Sequence, residues 1–340
     1  MLRVLFIPIT GERGASSRYR LYQYLPFLER FSILPFVARI PSRGLVAKWV
    51  GLLRVLKLAP QVEVVFLQKR ALDPRVLRLI LALNDRLIYD FDDALYAPES
   101  PANPSWEIRS KTKRNLVAIL RESKLVIGGN ENLAAYARQH NSNVRVIPTA
   151  LDTDRWRPRE QTASEKLVLG WVGNSENLRY LQTLEGVFSR LASRYARRVV
   201  LRVVSGKPYS SHSPLRVDNR AWALHTELED LQSFHIGLSP LTDDEWTRGK
   251  CGFRALQYMA LATPVVASPV GVNRGIVSDG VNGFLAATEE EWFDKLSRLI
   301  EDQELRSRLG RGGRNTVEEG YSLSVNLPRL VAALREVAPL

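Results

Sequence analysis

The sequence contains one cysteine, Cys251, and only four histidines among its 340 residues. A single thiol excludes an internal disulfide framework, and it also excludes a zinc site built on several cysteines. The histidines are scattered along the chain without the spacing of metal ligands. We therefore expect Cys251 to be an inert thiol, and we expect no zinc site.

Long apolar runs are also missing, because no stretch reaches the ~20 apolar residues that a membrane-spanning helix needs. The opening run LRVLFIPIT is too short for a signal peptide and is typical of a buried strand. We therefore expect a cytoplasmic protein.

Acidic residues are outnumbered, since 36 Asp and Glu oppose 48 Lys and Arg and leave a net charge of +12. This excess predicts anionic partners, and nucleic acid, acidic lipid and phosphorylated ligands satisfy it equally. The basic residues are spread along the chain and no aromatic and basic RNA-binding signature is present, so we expect no nucleic-acid partner. Walker, HExxH and Ser-His-Asp patterns are absent too, which leaves hydrolysis unsupported.

Strand and helix patterns alternate along the whole chain. Apolar runs such as LRVLFIPI, VEVVFLQ and RLIYDF are separated by helical patterns, and a second series of this kind restarts at KLVLGWVG. Such alternation is typical of α/β doubly wound parallel sheets. We predict two Rossmann-like domains facing a cleft, over 1–150 and 166–321. A linker over 150–165 joins them, and a C-terminal helix at about 322–340 crosses back to the first domain.

The segment over 248–273, RGKCGFRALQYMALATPVVASPVGVN, predicts a helix, a short strand and a Gly/Pro loop. Lys250, Arg254 and Gln257 fall at i, i+4 and i+7, so they share one stripe of a helix. Two cations and an amide that lie along one side of a helix, beginning at its first turn, can bind a phosphate and a hydroxylated ligand. A solvated helix face is the alternative interpretation.

A loop with Gly11 and Gly14, TGERGASSRYR, separates the first strand from the helical pattern YQYLPFLERF. A G-x-x-G motif is weak, so two interpretations stay open. The loop is an ordinary turn, or it binds a ligand with Arg18 reaching a phosphate.

Three carboxylates, Asp90, Asp92 and Asp93, follow the fourth predicted strand in YDFDDALY. Ligands bind at the carboxyl edge of doubly wound sheets, where this cluster is expected to lie. Three interpretations remain: a Mg²⁺ or Mn²⁺ site, direct contact with an acceptor or a catalytic role, and structural or helix-capping duty.

The pattern over 44–59, GLVAKWVGLLRVLKLA, predicts a basic amphipathic helix. Its apolar residues include Trp49 and Leu53, and its basic residues are Lys48, Arg54 and Lys57. Such a helix could lie on an anionic membrane surface, but a core helix of an α/β domain has the same pattern and is the preferred interpretation.

Several of these stretches resemble the GT-B glycosyltransferases of sequence family 4. The likeness covers nearly the whole chain: LGWVGNSENLRYL is similar to the first strand and loop of the family's donor domain, VIPTALDTDRW to its linker signature, and KCGFRALQYMALATPVVASPVGVN to its donor-binding helix, strand and loop. The resemblance implies two Rossmann-like domains, a nucleotide-diphosphate sugar as the donor substrate and transfer with retention of configuration. With this interpretation we expect no metal ion and no cofactor.

The resemblance also implies individual roles. Gln257 stands where the family has a ribose-binding glutamate, Arg179 matches a lysine that contacts the diphosphate, and Asp92 lies near the position of a catalytic histidine. Asn174 stands where the family has an arginine, and Gly249 or Lys250 stands where it has another glutamate. The expected catalytic residues are Asp92, Asp93 and Arg179. The expected donor-binding residues are Gly14, Arg18, Gly173, Asn174, Arg179, Lys250, Gly252, Phe253, Arg254, Gln257, Gly271, Val272 and Asn273.

The function expected from the resemblance is transfer of a sugar to a glycan or lipid-linked acceptor of the cell envelope. The enzyme would be cytoplasmic, and an anionic membrane surface is a further candidate partner. A GT-B sugar-nucleotide epimerase and a catalytically degenerate sugar-nucleotide-binding protein are the alternatives.

Overall fold

The computed structural model describes residues 1–98, 106–159 and 166–339. The chain divides into two compact units. The first comprises Met1–Ala150, Asp244–Cys251 and Leu323–Leu340, and the second comprises Leu151–Asp243 and Gly252–Ser322. The division differs from the predicted boundaries at 244–251, a segment that the prediction placed in the second domain. The predicted linker over 150–165 includes 160–165, which lie outside the described residues.

Twelve strands are found in the described part of the chain: β1 Leu2–Ile7, β2 Ile33–Val37, β3 Val64–Gln68, β4 Leu87–Phe91, β5 Leu125–Gly128, β6 Val144–Val146, β7 Leu167–Val172, β8 Val199–Ser205, β9 Val217–Ala221, β10 Ile236–Ser239, β11 Val265–Ala267 and β12 Phe284–Leu285. They form two six-stranded sheets, ordered β2-β1-β3-β4-β5-β6 and β12-β11-β10-β7-β8-β9. All neighbouring strands within each sheet pair in parallel.

The α-helices are α1 Ala15–Ser17, α2 Leu25–Leu28, α3 Leu45–Leu58, α4 Pro74–Leu83, α5 Trp106–Glu122, α6 Glu131–Arg138, α7 Leu178–Gln182, α8 Glu185–Tyr195, α9 Glu227–Gln232, α10 Glu245–Arg248, α11 Phe253–Ala260, α12 Asn273–Ile276, α13 Glu289–Glu301, α14 Gln303–Thr316 and α15 Leu323–Val337. Two parallel sheets with flanking helices confirm the predicted α/β doubly wound class. None of the helices in the described ranges is long and apolar enough to cross a membrane.

Local sequence accounts for several helix boundaries. Asp73 begins α4 by accepting a hydrogen bond from the backbone of Arg75, with Pro74 in the first turn, where its missing N–H has no cost. Thr288 and Glu291 form a capping box at α13. The predicted helix YQYLPFLERF is interrupted instead. Its first residue ends a π-helical turn over Arg18–Tyr22, its middle forms the short α2, and its end is a 3₁₀ turn over Glu29–Phe31.

Apolar side chains pack on both faces of the first sheet. One cluster joins β1, β3 and β4 to α3, α4 and α5, and the other packs α15 onto the opposite face. In the second unit, residues of β7, β8, α8 and α13 contribute to a comparable core. The last helix of the chain therefore completes the core of the first unit, in which Leu330, Ala333 and Leu334 are buried.

Each sheet has one point at which the strand order reverses. In the first unit it lies between β1 and β3, and in the second between β7 and β10. Loops that leave two such strands run in opposite directions and open a crevice at the carboxyl ends of the strands, where ligands bind in this class of fold. These two points position the candidate site residues.

Candidate functional site

The first turn of α11 lies at the crevice of the second unit. Gly252 precedes this helix with φ +63°, in the left-handed region that favours glycine. A Cβ on Gly252 would also lie 2.4 Å from the side chain of Ile276. The turn at Gly252 therefore starts α11 at Phe253 and places Arg254 in its first turn.

Arg254 reaches the carboxyl end of β7. Its Nε donates to the carbonyl of Val172 at 2.6 Å, and its guanidinium lies 4.7 Å from the ring centre of the buried Trp171. Gly173 leaves room for this contact, since a Cβ there would lie 2.9 Å from Arg254 Nη2. Among the described residues no carboxylate pairs with Arg254, and burial lowers the pKa of its guanidinium. A cation held in this way suits an anionic ligand.

Gln257 lies one turn after Arg254 on α11. Its side chain is 5% exposed, and its amide makes no hydrogen bond to any residue that the structure describes. Asn273 is fully buried; its Nδ2 donates to the carbonyl of Ser268, and its Oδ1 has no hydrogen-bond partner within the described ranges. Buried polar groups are nearly always hydrogen-bonded, so both positions fit a ligand-facing role. Gly271, with φ +52°, turns the chain between them.

The prediction that Lys250, Arg254 and Gln257 share one stripe of a helix is wrong for Lys250. Because α11 begins only at Phe253, Lys250 precedes the helix, and it belongs to the first unit, where its Nζ lies 5.5 Å from the ring centre of Trp246. Arg254 and Gln257 remain on one helix. The sequence pattern gave no sign of the left-handed turn at Gly252.

Asn174 and Arg179 follow β7, as predicted. Asn174 is exposed and begins a short 3₁₀ turn over Ser175–Asn177. Arg179 lies in α7, where its Nη2 donates to the hydroxyl of Tyr180 at 2.9 Å. The roles of Asn174, Arg179, Phe253 and Val272 in donor binding stay predictions.

The three carboxylates of the first unit divide into two groups. Asp90 is buried in β4 and receives hydrogen bonds from Nε and Nη2 of the buried Arg20, whose Nη1 donates to the carbonyl of Ile147 and the hydroxyl of Thr149. This ion pair is buried in the interior of the first unit. Asp90 therefore has a structural place in the fold.

Asp92 and Asp93 lie just beyond β4 and share the ammonium of Lys69. The Nζ of Lys69 is 3.0 Å from Asp92 Oδ1, contacts Asp93 Oδ2 and donates to Ser16 Oγ at 2.8 Å. Burial raises the pKa of Asp92, but Lys69 and Arg20 outweigh it, so the pKa lies below its usual value. The Asp92 carboxylate is thereby kept ionised at neutral pH.

Lys69 was missed by the sequence analysis. It adopts φ +58°, a left-handed conformation that few non-glycine residues take, and its backbone N–H donates to the carbonyl of Asp90 at 2.6 Å. Strain of this kind concentrates at functional sites. A single lysine after an apolar strand carries no motif, which is why its sequence gave no signal.

The loop that follows β1 is held by its own backbone. Gly14 N–H donates to the carbonyl of Gly11, and a Cβ on Gly14 would lie 1.9 Å from the hydroxyl of Thr10. Arg18 Nη1 lies 3.4 Å from the carbonyls of Glu12 and Arg13. Arg18 therefore organises this loop, and phosphate binding by Gly14 and Arg18 stays a prediction.

Cys251 lies in the first unit, where its Sγ donates to the carbonyl of Asp92 at 3.3 Å. Burial, reinforced by the Asp92 carboxylate, raises the pKa of this thiol to about 12. The thiolate needed for reactivity is therefore disfavoured. No group of three or more His, Cys, Asp or Glu side chains with metal-binding geometry occurs in the parts of the chain that are described.

Comparison with known proteins identifies relatives of part of the chain. Residues 166–302 match the family model described as glycosyl transferases group 1. A D-inositol 3-phosphate glycosyltransferase of Saccharomonospora viridis is 28% identical over 197 residues, which are 50% of this chain and 45% of that protein. The chain thus matches about half the length of this relative.

Solved structures share the fold of the whole chain. Anabaena HepE, in complex with UDP and glucose, superposes with a TM-score of 0.75 at 15% identity and covers 99% of this chain and 100% of its own. Sucrose-phosphate synthase of Thermosynechococcus elongatus gives a TM-score of 0.76 at 16% identity, with 99% of each chain covered. The fold and the family match together support the expected likeness to GT-B glycosyltransferases.

Proposed function

We propose that the chain is a retaining glycosyltransferase that moves a sugar from a nucleotide diphosphate to a glycan or glycolipid acceptor of the cell envelope. The observation that carries the proposal is the position of Arg254, a partly buried guanidinium with no carboxylate partner among the described residues, at the strand-order reversal of the second sheet. The family match over 166–302 covers the same unit and gives independent support.

The second unit would bind the donor. Arg254 and Arg179 would neutralise the diphosphate, whose charge grows as the sugar leaves. Gln257 would donate and accept hydrogen bonds with the ribose hydroxyls, because an amide can do both. The loop over 271–273 and Gly173 would supply backbone contacts close to the phosphates.

The first unit would bind the acceptor through Asp92 and Asp93. The oxygens of these carboxylates can accept hydrogen bonds from acceptor hydroxyls. The donor phosphate would take the acceptor proton, so the enzyme would need no nucleophile of its own. We propose a reaction without a metal cofactor, because arginine and lysine side chains supply the positive charge that a cation would otherwise bring.

UDP-glucose is the first donor to test, since HepE has been solved with UDP and glucose. We expect it to raise the melting temperature of the wild type, and Gln257→Ala to bind it about ten-fold more weakly, as loss of one or two hydrogen bonds predicts. The apolar side of α11 is untouched, so the variant should melt normally without ligand. Equal affinity in the two proteins would contradict the role of Gln257.

Turnover separates the proposed activity from epimerisation. With labelled UDP-glucose and an envelope lipid and glycan extract, we expect label in the extract and release of UDP, with unchanged activity in a chelator. Conversion of the donor to a different sugar nucleotide without any acceptor would overturn the proposal.

Helix α3 supports a location at the membrane surface. Its Gly51, Leu52 and Val55 face the core, whereas its other apolar face is exposed. The core interpretation is therefore wrong for that face, which comprises Leu45, Val46, Trp49, Val50 and Leu53. Arg54 and Lys57 follow Val50 and Leu53 by one helical turn each, so basic residues border the exposed apolar surface. An apolar face bordered by cations fits an anionic bilayer.

Wild-type protein should sediment with vesicles that contain phosphatidylglycerol at low salt and much less at high salt. The triple variant Lys48→Glu, Arg54→Glu and Lys57→Glu should bind more than about ten-fold more weakly, because each basic residue near an anionic surface contributes about 1 kcal/mol. Lys111→Glu, Lys113→Glu and Arg114→Glu on α5 change the net charge equally and serve as the control. If both triple variants lose binding alike, net charge is responsible and α3 has no special role.

A further inference from the structure

Two arginines, Arg39 and Arg70, follow the strands that flank β1 at the strand-order reversal of the first sheet. The chain leaves β1 through the loop over 8–14, and β2 and β3 lie on opposite sides of β1. Arg39 follows β2 and Arg70 follows β3. Both arginines therefore come from strands next to β1 and lie at the edge where this class of fold binds ligands.

Arg70 is fixed against the loop. Its Nη2 donates to the carbonyl of Ile9 at 3.2 Å, whereas its Nε is buried without a hydrogen-bond partner among the described residues. Burial lowers the pKa of Arg70, and the nearby Arg39 lowers it further. A buried N–H group with no acceptor is costly unless a ligand supplies one.

Arg39 approaches the same loop from the other side. A Cβ on Gly11 would lie 3.1 Å from Arg39 Nη1, so the glycine leaves space for the guanidinium. Arg39 is exposed and forms neither a hydrogen bond nor an ion pair within the described ranges. Glu12, the carboxylate of this loop, forms no ion pair with Arg39 or Arg70 in the described part of the chain.

Two neighbouring guanidinium groups repel each other, and an anion between them converts that repulsion into attraction. Guanidinium groups bind phosphate oxygens through paired N–H donors, an arrangement that a single ammonium does not offer. The pair Arg39 and Arg70 therefore suits a phosphate group better than a neutral sugar.

We propose that Arg39 and Arg70 bind a phosphate ester carried by the acceptor. The inference rests on the proposed function, which assigns the acceptor to the first unit. The position of α3 agrees with this proposal. A Cβ on Gly51 would lie 2.5 Å from the Arg39 carbonyl, so the backbone of α3 packs closely against Arg39. The helix that we assign to the membrane surface thus packs directly on the segment that carries Arg39, so both a lipid headgroup and a soluble phosphate ester have the right chemistry.

The test uses glycerol 3-phosphate as the probe and the full chain, with titration calorimetry at constant ionic strength. We expect saturable binding to the wild type, weakened at least about ten-fold by Arg39→Met, because the exposed Arg39 side chain loses no bond to the described residues when it is replaced. Arg70→Lys keeps the charge but loses the paired donors, so it should bind more weakly too. Arg75→Met removes an exposed arginine of α4 and should bind the probe like the wild type. Equal binding by wild type and Arg39→Met would overturn the proposal.

Two further arms identify the source of the phosphate. Loss of vesicle binding by Arg39→Met together with loss of glycerol 3-phosphate binding would assign the site to a lipid headgroup. Loss of glycerol 3-phosphate binding alone would assign it to a soluble ester. Displacement of the probe by UDP would show that the site belongs to the donor and would overturn the proposal. If UDP-glucose fails to bind while Arg39→Met still loses the probe, the phosphate site stands and the transferase proposal fails.

Discussion

Arg254→Met is expected to weaken UDP-glucose binding by about 100-fold, because a hydrogen bond to a charged group contributes about 1.5–3 kcal/mol and a guanidinium can form two with a diphosphate. The expectation rests on the placement of this side chain. Its Nε is engaged by the carbonyl of Val172, Trp171 supports its plane, and no carboxylate among the described residues competes for its charge. The guanidinium is thus held in place before the ligand arrives, which reduces the ordering cost of binding.

Arg254→Lys separates charge from geometry. The ammonium keeps the positive charge but offers no paired donors and does not reproduce the bond to Val172, so we expect intermediate affinity. Arg308→Met is a matched control, because Arg308 is an exposed arginine of the same unit whose Nη1 donates to the carbonyl of Gly280. Affinities come from calorimetric titration, and melting without ligand checks folding. An Arg254→Met affinity within about two-fold of the wild type would show that the diphosphate does not bind here.

The strands were predictable because their sequences are nearly continuous apolar runs. β7 and β11 are buried at every position, and β11 is the short strand predicted within the segment over 248–273. The edge strand β9 was missed, since its sequence VDNRA is polar and mostly exposed. Periodicity detects burial, so an exposed edge strand gives little signal.

The candidate site was only partly predictable, because contacts between distant segments decide it. Lys250 was assigned to α11 by spacing, yet a left-handed turn at Gly252 separates it from the helix. The pairing of Lys69 with Asp92 arises only because β3 and β4 are neighbours in the sheet. Arg39 and Arg70 likewise converge through strand order, which no local pattern encodes.

The amphipathic helix α3 shows a further limit of sequence patterns. Its apolar residues surround most of the helix, so the pattern did not reveal which face packs inward. The structure buries Gly51, Leu52 and Val55 and exposes Trp49 and Leu53. The small residue Gly51 lets the backbone of α3 approach the segment after β2, and this contact orients the helix.

Arg20→Met is expected to lower the free energy of unfolding by about 3–5 kcal/mol, since removal of one partner leaves a buried charge uncompensated. Arg20 and Asp90 are both almost fully buried, and Arg20 also bonds Ile147 and Thr149. Replacing both partners, as Arg20→Met with Asp90→Leu, should destabilise less than Arg20→Met alone, because no charge then remains inside. Arg3→Met breaks the more exposed ion pair with Glu63 and should lose little stability.

The pH dependence distinguishes a stranded carboxylate from simple loss of packing. Burial already raises the pKa of Asp90, and Arg20 opposes that shift, so removal of Arg20 raises the pKa further. The folded variant then binds a proton that the unfolded chain releases above about pH 4. Wild-type Asp90 loses its own proton at a lower pH than Asp90 of the variant, so the deficit relative to the wild type should grow as pH rises from the wild-type pKa of Asp90 towards the higher pKa in the variant, and level off above it. Urea unfolding at several pH values measures this. The loss of unfolding free energy could instead be independent of pH, or no larger than that of Arg3→Met. Either result would show that Asp90 finds another partner in the variant and that its charge is not left uncompensated.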